Sequence, residues 1–498
     1  MSGTTSMEHL DVLVIGAGLS GIGAGHYLQS ECPWASYAIF EARDSIGGTW
    51  DLFRYPGIRS DSDMFTLGYS FRPWDGEKSI ADGDSILQYI KDTAAAEAID
   101  ERIRFGHRVV RAEWSSEEAL WCVTAENVRT GESVELTCGF IFSCSGYYRY
   151  DKGYLPAFEG MDRFQGTIIH PQAWPEQLDY SGKRIVVIGS GATAVTLVPS
   201  MAELASHVTM LQRSPSYITS LPAKDPIANW LRRVLPSKVS GPAVRWMKAL
   251  LTQGFFQLSR HRPELVKKLL RKQLEASLPP GFDIDTHFTP RYNPWDQRFC
   301  LVPDGDLFEA ISDGKVSMLT DQVETFTENG IRLVSGKEVE ADIIITATGL
   351  ELLFLGGVEL IVDSEKVDVS KKLAYKGMML EGVPNIAMAI GYTNASWTLK
   401  CDLTCQYVTR LLNRMHSTGM RQCTPVNRDP SVVAKPLLNL TSGYVLRSAD
   451  RFPKQGSRYP WQVYQSYLRD YRALKLKGID DDAMVFSNPA PIEVAAAS

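Results

Sequence analysis

Cysteine is scarce in this chain and is not arranged for metal binding or cross-linking. Eight cysteines are scattered over 498 residues, without the C-x2-C spacing of zinc sites or the density of a disulfide scaffold. The sequence therefore predicts no metal site and favours a reducing, cytoplasmic location. Cys401 and Cys405 are four residues apart and would share a helical face. They are either a redox pair or buried structural thiols, and the second is more typical of free cysteine.

The sequence predicts neither a signal peptide nor a membrane span, and its net charge is not positive. Its N-terminal residues have neither the positive flank nor the apolar stretch of a signal peptide. No run of about 18 apolar residues predicts a transmembrane helix. The net charge of −6 gives no overall basic field to attract nucleic acid, so no such partner is expected. The length predicts about two to four globular domains, at roughly 100–200 residues each.

A strand, a glycine loop and a helix follow one another near the N-terminus. The apolar run 11–15 is typical of a buried parallel strand, and it leads into the loop Gly16-Ala-Gly18-Leu-Ser-Gly21. Such a loop directs backbone N–H groups and a helix N-terminus at a pyrophosphate. Residues 37–40 predict the next strand, and Glu41 at its end is placed to bind ribose hydroxyls. Together these features predict a dinucleotide site.

A second unit of the same kind begins at residue 184. Its loop reads Gly189-Ser-Gly191-Ala-Thr-Ala194, with alanine in place of the third glycine, as the Rossmann pattern permits. The following strand, 208–212, ends at Arg213 instead of an acid. A cation there can pair with a 2′-phosphate that an acid would repel, so the predicted nucleotide is NADPH. A plain surface charge is the alternative interpretation of Arg213.

Between the two loops lies Phe164-Gln-Gly166-Thr-Ile-Ile-His170-Pro-Gln-Ala-Trp174-Pro175. Taken alone, a histidine beside a tryptophan is more often a packed linker residue. The full spacing F-x-G-x3-H-x3-W-P, in this position, resembles the fingerprint of type I Baeyer-Villiger monooxygenases. Segments 48–63, 292–303, 374–378 and 391–400 resemble the ethionamide-activating subfamily in particular, and the resemblance runs from residue 11 to about residue 491.

The resemblance implies an α/β fold with two dinucleotide-binding, Rossmann-like domains and a helical insertion in the second. The expected FAD-binding domain comprises residues 1–148 and 372–498, the NADPH-binding domain residues 149–221 and 290–371, and the insertion residues 222–289. FAD is expected at the first loop, with the turn Gly48-Thr49-Trp50 against the flavin. His170 and Trp174 are expected to govern domain motion and NADPH closure, and His170 is not expected to act as a general base.

The resemblance also implies two catalytic residues, Arg298 and Asp61. In the family, an arginine close to the flavin C4a-peroxide keeps it deprotonated for attack on a ketone, and an aspartate holds that arginine. A guanidinium suits this task because it stabilises anionic oxygen by charge and hydrogen bonding. Most relatives have lysine before the arginine, whereas this chain has Gln297. This chain therefore has no lysine at position 297 to contribute to NADPH binding.

The function implied is insertion of one oxygen atom of O2 beside a ketone carbonyl through a C4a-peroxyflavin, giving esters or lactones. Members of the ethionamide-activating subfamily oxidise ketones and also the sulfur of thioethers and thioamides. One alternative is a flavin-containing N- or S-monooxygenase that uses an electrophilic hydroperoxyflavin; Trp174-Pro175 and Arg298 argue against it. A non-catalytic flavin-bound redox sensor or membrane-docked partner protein is a third interpretation, and the intact second loop with Arg213 argues against it.

The predicted insertion is strongly basic. From residue 224 to 280 it has twelve lysines and arginines and three acids, so its local net charge is 12 − 3 = +9 within a chain of −6. Its apolar residues have helical spacing, and a basic amphipathic helix can lie on an anionic membrane surface. A solvated insertion that attracts NADPH is the alternative interpretation.

Overall fold

The computed structural model describes residues 7–297, 299–438 and 440–489. In chain order its strands are β1 (Glu8–Ile15), β2 (Tyr37–Glu41), β3 (Ile103–Phe105), β4 (His107–Ser115), β5 (Leu120–Asn127), β6 (Ser133–Ser143), β7 (Thr167–Ile169), β8 (Arg184–Ile188), β9 (His207–Gln212), β10 (Ile218–Leu221), β11 (Cys300–Pro303), β12 (Val316–Thr320), β13 (Val323–Thr327), β14 (Gly330–Leu333), β15 (Glu338–Glu340), β16 (Ile343–Thr346), β17 (Glu359–Val362), β18 (Glu365–Lys366), β19 (Ala374–Tyr375), β20 (Met379–Leu380), β21 (Ile386–Met388), β22 (Gln422–Pro425), β23 (Ala434–Pro436), β24 (Lys454–Gly456) and β25 (Met484–Ser487).

The α-helices are α1 (Leu19–Glu31), α2 (Thr49–Leu52), α3 (Met64–Leu67), α4 (Gly83–Ala96), α5 (Ala192–Met201), α6 (Pro226–Val234), α7 (Ser237–His261), α8 (Pro263–Ser277), α9 (Ile284–Phe288), α10 (Asp306–Ser312), α11 (Trp397–Thr418), α12 (Gly443–Leu446) and α13 (Tyr467–Asp470). A π-helical segment, Tyr471–Leu476, follows α13.

The first sheet contains the first glycine loop. Its strand order is β18-β17-β4-β5-β6-β1-β2-β3, with β21 also paired to β6. The strands β6, β1, β2 and β3 are parallel, and β4 and β5 form an antiparallel extension. Successive side chains of β1 enter different cores, Val12 and Val14 on one face and Leu13 and Ile15 on the other. A strand buried on both faces explains why residues 11–15 are apolar almost without interruption.

The second sheet contains the second glycine loop. Its order is β12-β9-β8-β16-β7, and every pairing in it is parallel. Ile185 and Val187 of β8 enter one core, and Val186 and Ile188 enter another. Two sheets, each with a strand, glycine loop and helix at its centre, confirm the predicted α/β class with two Rossmann-like units.

The strand pairing places one domain boundary earlier in the chain than the sequence predicts. The strand β17 pairs in parallel with β4 of the first sheet, and β18 pairs with β17. Leu360 of β17 is buried in the core of that first sheet. The boundary predicted at residue 371 assigns these strands to the NADPH-binding domain. Pairing and burial instead favour a boundary before residue 359.

Helices α6 to α9 occupy the segment predicted as an insertion, and α7 is tied to the first unit by buried charges. Arg245 of α7 forms an ion pair with Asp402 of α11 at 2.8 Å and donates a hydrogen bond to the Thr66 carbonyl at 3.0 Å. Lys248, one helical turn later, lies 3.0 Å from Asp63. Breaking a buried pair by removing one partner typically costs about 3–5 kcal/mol. These contacts therefore hold the insertion against the first unit.

The cysteines of α11 are buried, and burial raises the pKa of the Cys401 thiol to about 12. This favours structural thiols over a redox pair, because the thiolate is the reactive form. In the described part of the chain, no group of three or more His, Cys, Asp or Glu side chains is arranged to hold a metal ion. No helix among these residues is long and apolar enough to cross a membrane.

Candidate active site and cofactor cavity

A cavity of about 1180 Å³ joins the two glycine loops at the carboxyl ends of the parallel strands. This edge of a parallel sheet is where ligands bind in such folds. The predicted residues that line the cavity are Gly16, Gly18, Glu41, Gly48, Thr49, Trp50, Asp61, Gly189, Gly191, Arg213 and Gln297. Gly21 is buried in the first turn of α1, and Ala194 is buried in α5. Arg298 lies outside the described residues.

The first loop is so tight that two of its glycines cannot be replaced without movement. Gly16 has φ +100°, and a Cβ there would lie 2.8 Å from the Cys144 carbonyl oxygen. A Cβ at Gly21 would lie 1.8 Å from the Gly16 carbonyl oxygen. The N-cap residue of α1 is Gly18, which makes no side-chain capping bond. The first N–H groups of α1 are therefore free of a side-chain cap, as phosphate binding requires.

Glu41 ends β2 beside this loop. Its carboxylate accepts hydrogen bonds from the Ala17 N–H at 2.7 Å and from the Arg43 N–H at 2.9 Å. Burial raises the pKa of Glu41, and the two backbone hydrogen bonds oppose that shift. The loop thus fixes the orientation of this carboxyl group at the cavity wall.

The turn after β2 closes the cavity near the first loop. Gly48 has φ +56°, and its Cα lies within van der Waals reach of a Cβ built at Gly18. Thr49 Oγ1 is 3.3 Å from the Tyr150 hydroxyl. The buried Asp51 carboxylate is paired with Arg54 at 2.6 Å. These contacts hold the predicted flavin-binding turn in place.

The second loop repeats the geometry of the first with more open space. Gly189 has φ +150°, and a Cβ there would lie 2.4 Å from the Ala347 carbonyl oxygen. A Cβ at Gly191 would meet no atom within 4 Å. Gly191 is the N-cap of α5 and, like its counterpart in α1, makes no side-chain capping bond. The two uncapped helix N-termini at one cavity suit two pyrophosphate groups.

Two guanidinium groups line the cavity near the second loop. Arg213 is exposed directly after β9, as predicted. Arg447, which sequence analysis missed, stacks on Tyr154 with its Cζ 3.4 Å from the ring centroid. Burial lowers the pKa of Arg447; attraction to Tyr154 and Glu351 opposes that shift, and repulsion from Arg213 adds to it. Two cations that repel each other across a cavity favour an anion between them.

Two separate stretches of the chain, one with Asp61 and one with Gln297, bring predicted site residues to the cavity. Asp61 lies on the wall just before α3, and Gln297 lies on it just before β11. Arg59, on the same segment as Asp61, is paired with Asp306 at the start of α10. This pair ties the segment to the second unit.

The fingerprint residues lie behind the cavity wall instead of on it. His170 Nδ1 accepts a hydrogen bond from the Gln172 N–H at 3.2 Å, so Nε2 carries the proton and donates to the Gly349 carbonyl at 3.2 Å. Burial lowers the pKa of His170, which keeps the ring neutral. Gln172 donates to the carbonyls of Arg149 and Tyr150 at 2.8 and 2.9 Å. The fingerprint thus connects the linker between the sheets to the strand end at Gly349.

The other fingerprint residues are packed against the second sheet or exposed beside it. A Cβ at Gly166 would lie 2.4 Å from the Asp342 carbonyl oxygen, so only glycine fits there without movement. Phe164 is buried in one core of the second sheet, and Trp174 is partly buried against the other; Pro175 is exposed. None of the five residues of the fingerprint lines the cavity.

Comparison with known proteins identifies two family matches in this chain. Residues 70–417 match the flavin-binding monooxygenase-like family, and residues 14–73 match the NAD(P)-binding Rossmann-like domain. The FAD-containing monooxygenase EthA of Mycobacterium tuberculosis is 54% identical over 98% of this chain and 100% of its own. The probable FAD-binding monooxygenase AlmA of Acinetobacter baylyi is 46% identical over 96% of each chain.

Solved structures share the fold at low sequence identity. An oxidised steroid monooxygenase bound to NADP has a TM-score of 0.76 and 21% identity, covering 96% of this chain and 100% of its own. An open cyclohexanone monooxygenase has a TM-score of 0.69 and 20% identity, covering 84% of this chain and 90% of its own. At this identity the likeness supports the arrangement of two dinucleotide-binding units and nothing finer.

Proposed function

The chain belongs to the flavin-binding monooxygenase-like family, and from that membership we propose that it is a Baeyer-Villiger monooxygenase. Membership confirms the prediction of a flavoprotein monooxygenase with FAD and NADP(H) as cofactors. O2 and a small organic molecule are its substrates. The proposed reaction inserts one oxygen atom of O2 next to a ketone carbonyl, giving an ester or lactone. NADPH supplies the two electrons that reduce the other atom to water.

The observation that carries the proposal is the single cavity into which both glycine loops open. A nicotinamide nucleotide at the second loop and FAD at the first would share this space, which hydride transfer between them requires. Asp61 and Gln297 lie on the wall of the same cavity. The fingerprint, and the resemblance of segment 292–303 to the region where the family carries its arginine, support a Baeyer-Villiger reaction over other flavin monooxygenations.

When bound and reduced, FAD activates O2 and supplies the inserted oxygen. The uncapped N-terminus of α1 would hold its pyrophosphate, and Glu41 would face its ribose. The N-terminus of α5 would hold the pyrophosphate of NADPH, with Arg213 and Arg447 neutralising phosphate charge. Gly48, Thr49 and Trp50 would lie against the flavin.

We assign the catalytic roles to Arg298 and Asp61. The guanidinium of Arg298 would stabilise negative charge on oxygen during insertion, and Asp61 would hold that guanidinium at the cavity wall. Gln297, in place of the usual lysine, provides no charge for the phosphate of NADPH. Thioethers and thioamides are proposed as further substrates, because a flavin-bound oxidant can also transfer oxygen to sulfur.

Mass spectrometry of products tests this reaction. The FAD-loaded protein is incubated with NADPH, isotopically heavy O2, linear and cyclic ketones, and one thioether. An ester or lactone that carries one heavy oxygen is expected. Sulfoxide and peroxide without any ester would instead assign the protein to the electrophilic N- or S-monooxygenases.

Replacing Arg213 by glutamine is expected to weaken NADPH binding about 10- to 100-fold. Hydrogen bonds to charged groups contribute about 1.5–3 kcal/mol, and glutamine keeps a polar side chain, shorter than that of arginine, while removing its charge. Arg447→Gln is expected to act in the same direction, because Arg447 lines the same part of the cavity. The measurement is KM for NADPH and for NADH, with Kd for NADP+ from protein fluorescence.

The NADH values provide the internal control, since NADH lacks the 2′-phosphate. Arg332→Gln is the matched control variant, because Arg332 is exposed on β14, pairs with Glu324 and is not among the residues that line the cavity. Equal losses for NADPH and NADH would show that Arg213 acts on the loop instead of the phosphate. An unchanged NADPH affinity would remove Arg213 from the site.

A further inference from the structure

We propose that the outer side of helices α6, α7 and α8 docks on an anionic lipid surface. The exposed surface of these helices, termed the basic apolar face, is defined by ten exposed large apolar residues between 227 and 269: Ile227, Trp230, Val234, Val239, Leu250, Leu251, Phe255, Leu258, Leu265 and Leu269. They make up nearly half of the exposed large apolar side chains in the described part of the chain. Such a concentration marks an interaction surface.

The pattern on α6 is clearest. Ile227, Trp230 and Val234 are spaced three and four residues apart, which places them on one side of the helix, and they are 62%, 59% and 54% exposed. The adjacent side of α6 packs through Ala228 and Leu231 against the rest of the protein. The exposed residues therefore have no part in the core, and their apolar surface is in water unless something covers it.

Of the twelve cations from residue 224 to 280, seven are paired or hydrogen-bonded to described residues, and four of these seven, Lys224, Arg260, Lys267 and Arg271, form ion pairs at the surface. The other three hold the insertion to the protein: Arg232 donates to the Gly76 carbonyl, Arg245 pairs with the buried Asp402, and Lys248 pairs with the half-buried Asp63. Others make no salt bridge to any described residue, namely Arg233, Lys238, Arg262, Lys268 and Lys272. These five lie on or beside the helices that carry the exposed apolar residues. The basic apolar face thus combines apolar area with cations that form no ion pair, of which Arg233 has an acid, Glu77, within electrostatic range.

The positive charge of the basic apolar face indicates what kind of surface binds to it. A second copy of the chain bound through the same face would bring two sets of unpaired cations together, and like charges in an interface are unfavourable. An anionic bilayer surface matches both features, since phospholipid headgroups neutralise lysine and arginine while tryptophan and aliphatic side chains enter the boundary region. This inference is independent of the reaction proposed above.

Vesicle co-sedimentation of the holoenzyme tests the proposal. Binding to vesicles of phosphatidylglycerol and phosphatidylcholine is expected, with little binding to phosphatidylcholine alone. The double variant Ile227→Ser/Trp230→Ser is expected to weaken binding by tenfold or more. The triple variant Arg233→Gln/Lys268→Gln/Lys272→Gln is expected to weaken it roughly 100-fold.

Val334→Ser is the matched control, because Val334 is equally exposed but lies next to β14, outside the insertion. Flavin absorbance and the melting temperature verify that each variant is folded. The proposal is wrong if the holoenzyme does not sediment with anionic vesicles, or if it binds neutral vesicles as well. It is also wrong if light scattering shows a dimer that the Ile227→Ser/Trp230→Ser variant abolishes.

Discussion

Alanine at Gly21 is expected to lower the affinity for FAD by about 100-fold, so that the purified protein loses its yellow colour. The new Cβ would lie 1.8 Å from the carbonyl oxygen of Gly16, and both atoms belong to backbone segments that cannot rotate away. Relieving the contact requires the loop and α1 to separate by about 1 Å, and a misplacement of this size can cost about 10²-fold. The helix N-terminus would then no longer face the pyrophosphate.

The flavin-to-protein ratio after gel filtration and the Kd for added FAD measure this effect. Gly254→Ala is the matched control, since Gly254 lies within α7 and a Cβ there would meet no atom within 4 Å. That variant is expected to keep FAD and to gain up to about 1 kcal/mol of stability from helix propensity. Normal FAD content in Gly21→Ala would mean that the first loop does not hold the pyrophosphate.

Arg298→Ala is expected to lower the rate of ester formation by about 10²–10³-fold while flavin reduction by NADPH continues. Removing one preorganised donor from developing negative charge on oxygen has effects of this size in other enzymes. NADPH consumption should then be uncoupled from ester formation, with peroxide released instead. Product analysis and NADPH oxidation, measured together, separate the two steps.

Arg291→Ala supplies the comparison, because Arg291 is an exposed arginine seven positions earlier. Asp61→Asn is expected to show the same uncoupling to a smaller degree, since it removes only the group proposed to hold Arg298. If Arg298→Ala slowed flavin reduction and ester formation equally, its role would be in NADPH binding, and the assignment of Arg298 to oxygen insertion would be contradicted.

Local sequence was sufficient for the parts of the fold that depend on local rules. The apolar strands β1 and β8, the glycines that follow them, and the residues Glu41 and Arg213 at the ends of the next strands all lie where their patterns predicted. Each feature is fixed within about 30 residues by strand periodicity and turn geometry. The roles of the site residues remain predictions.

Features that depend on distant contacts were not predictable in this way. Arg447 reaches the cavity from α12 and the residues after it, 234 positions beyond Arg213, and no local pattern links the two. The strand β17 is only four residues long, and its partner β4 lies far earlier in the chain. Likewise, the ion pair that joins α7 to α11 involves residues whose spacing carries no periodic signal.

The first sheet is completed by residues made late in synthesis. The strand β21 pairs with β6, and Trp397 of α11 donates a hydrogen bond to Ser20 of α1 at 2.9 Å. Translation at about 5–20 residues per second needs roughly 10–50 s to proceed from Ser143 to Trp397, and domains fold as units during this time. The second unit can fold in that interval, whereas the end of β6 that pairs with β21, Ile141 to Ser143, waits with one edge exposed to chaperones and to other chains. We therefore expect a chain that stops before α11 to bind FAD less tightly than the full chain, because α1 then lacks its contact with Trp397.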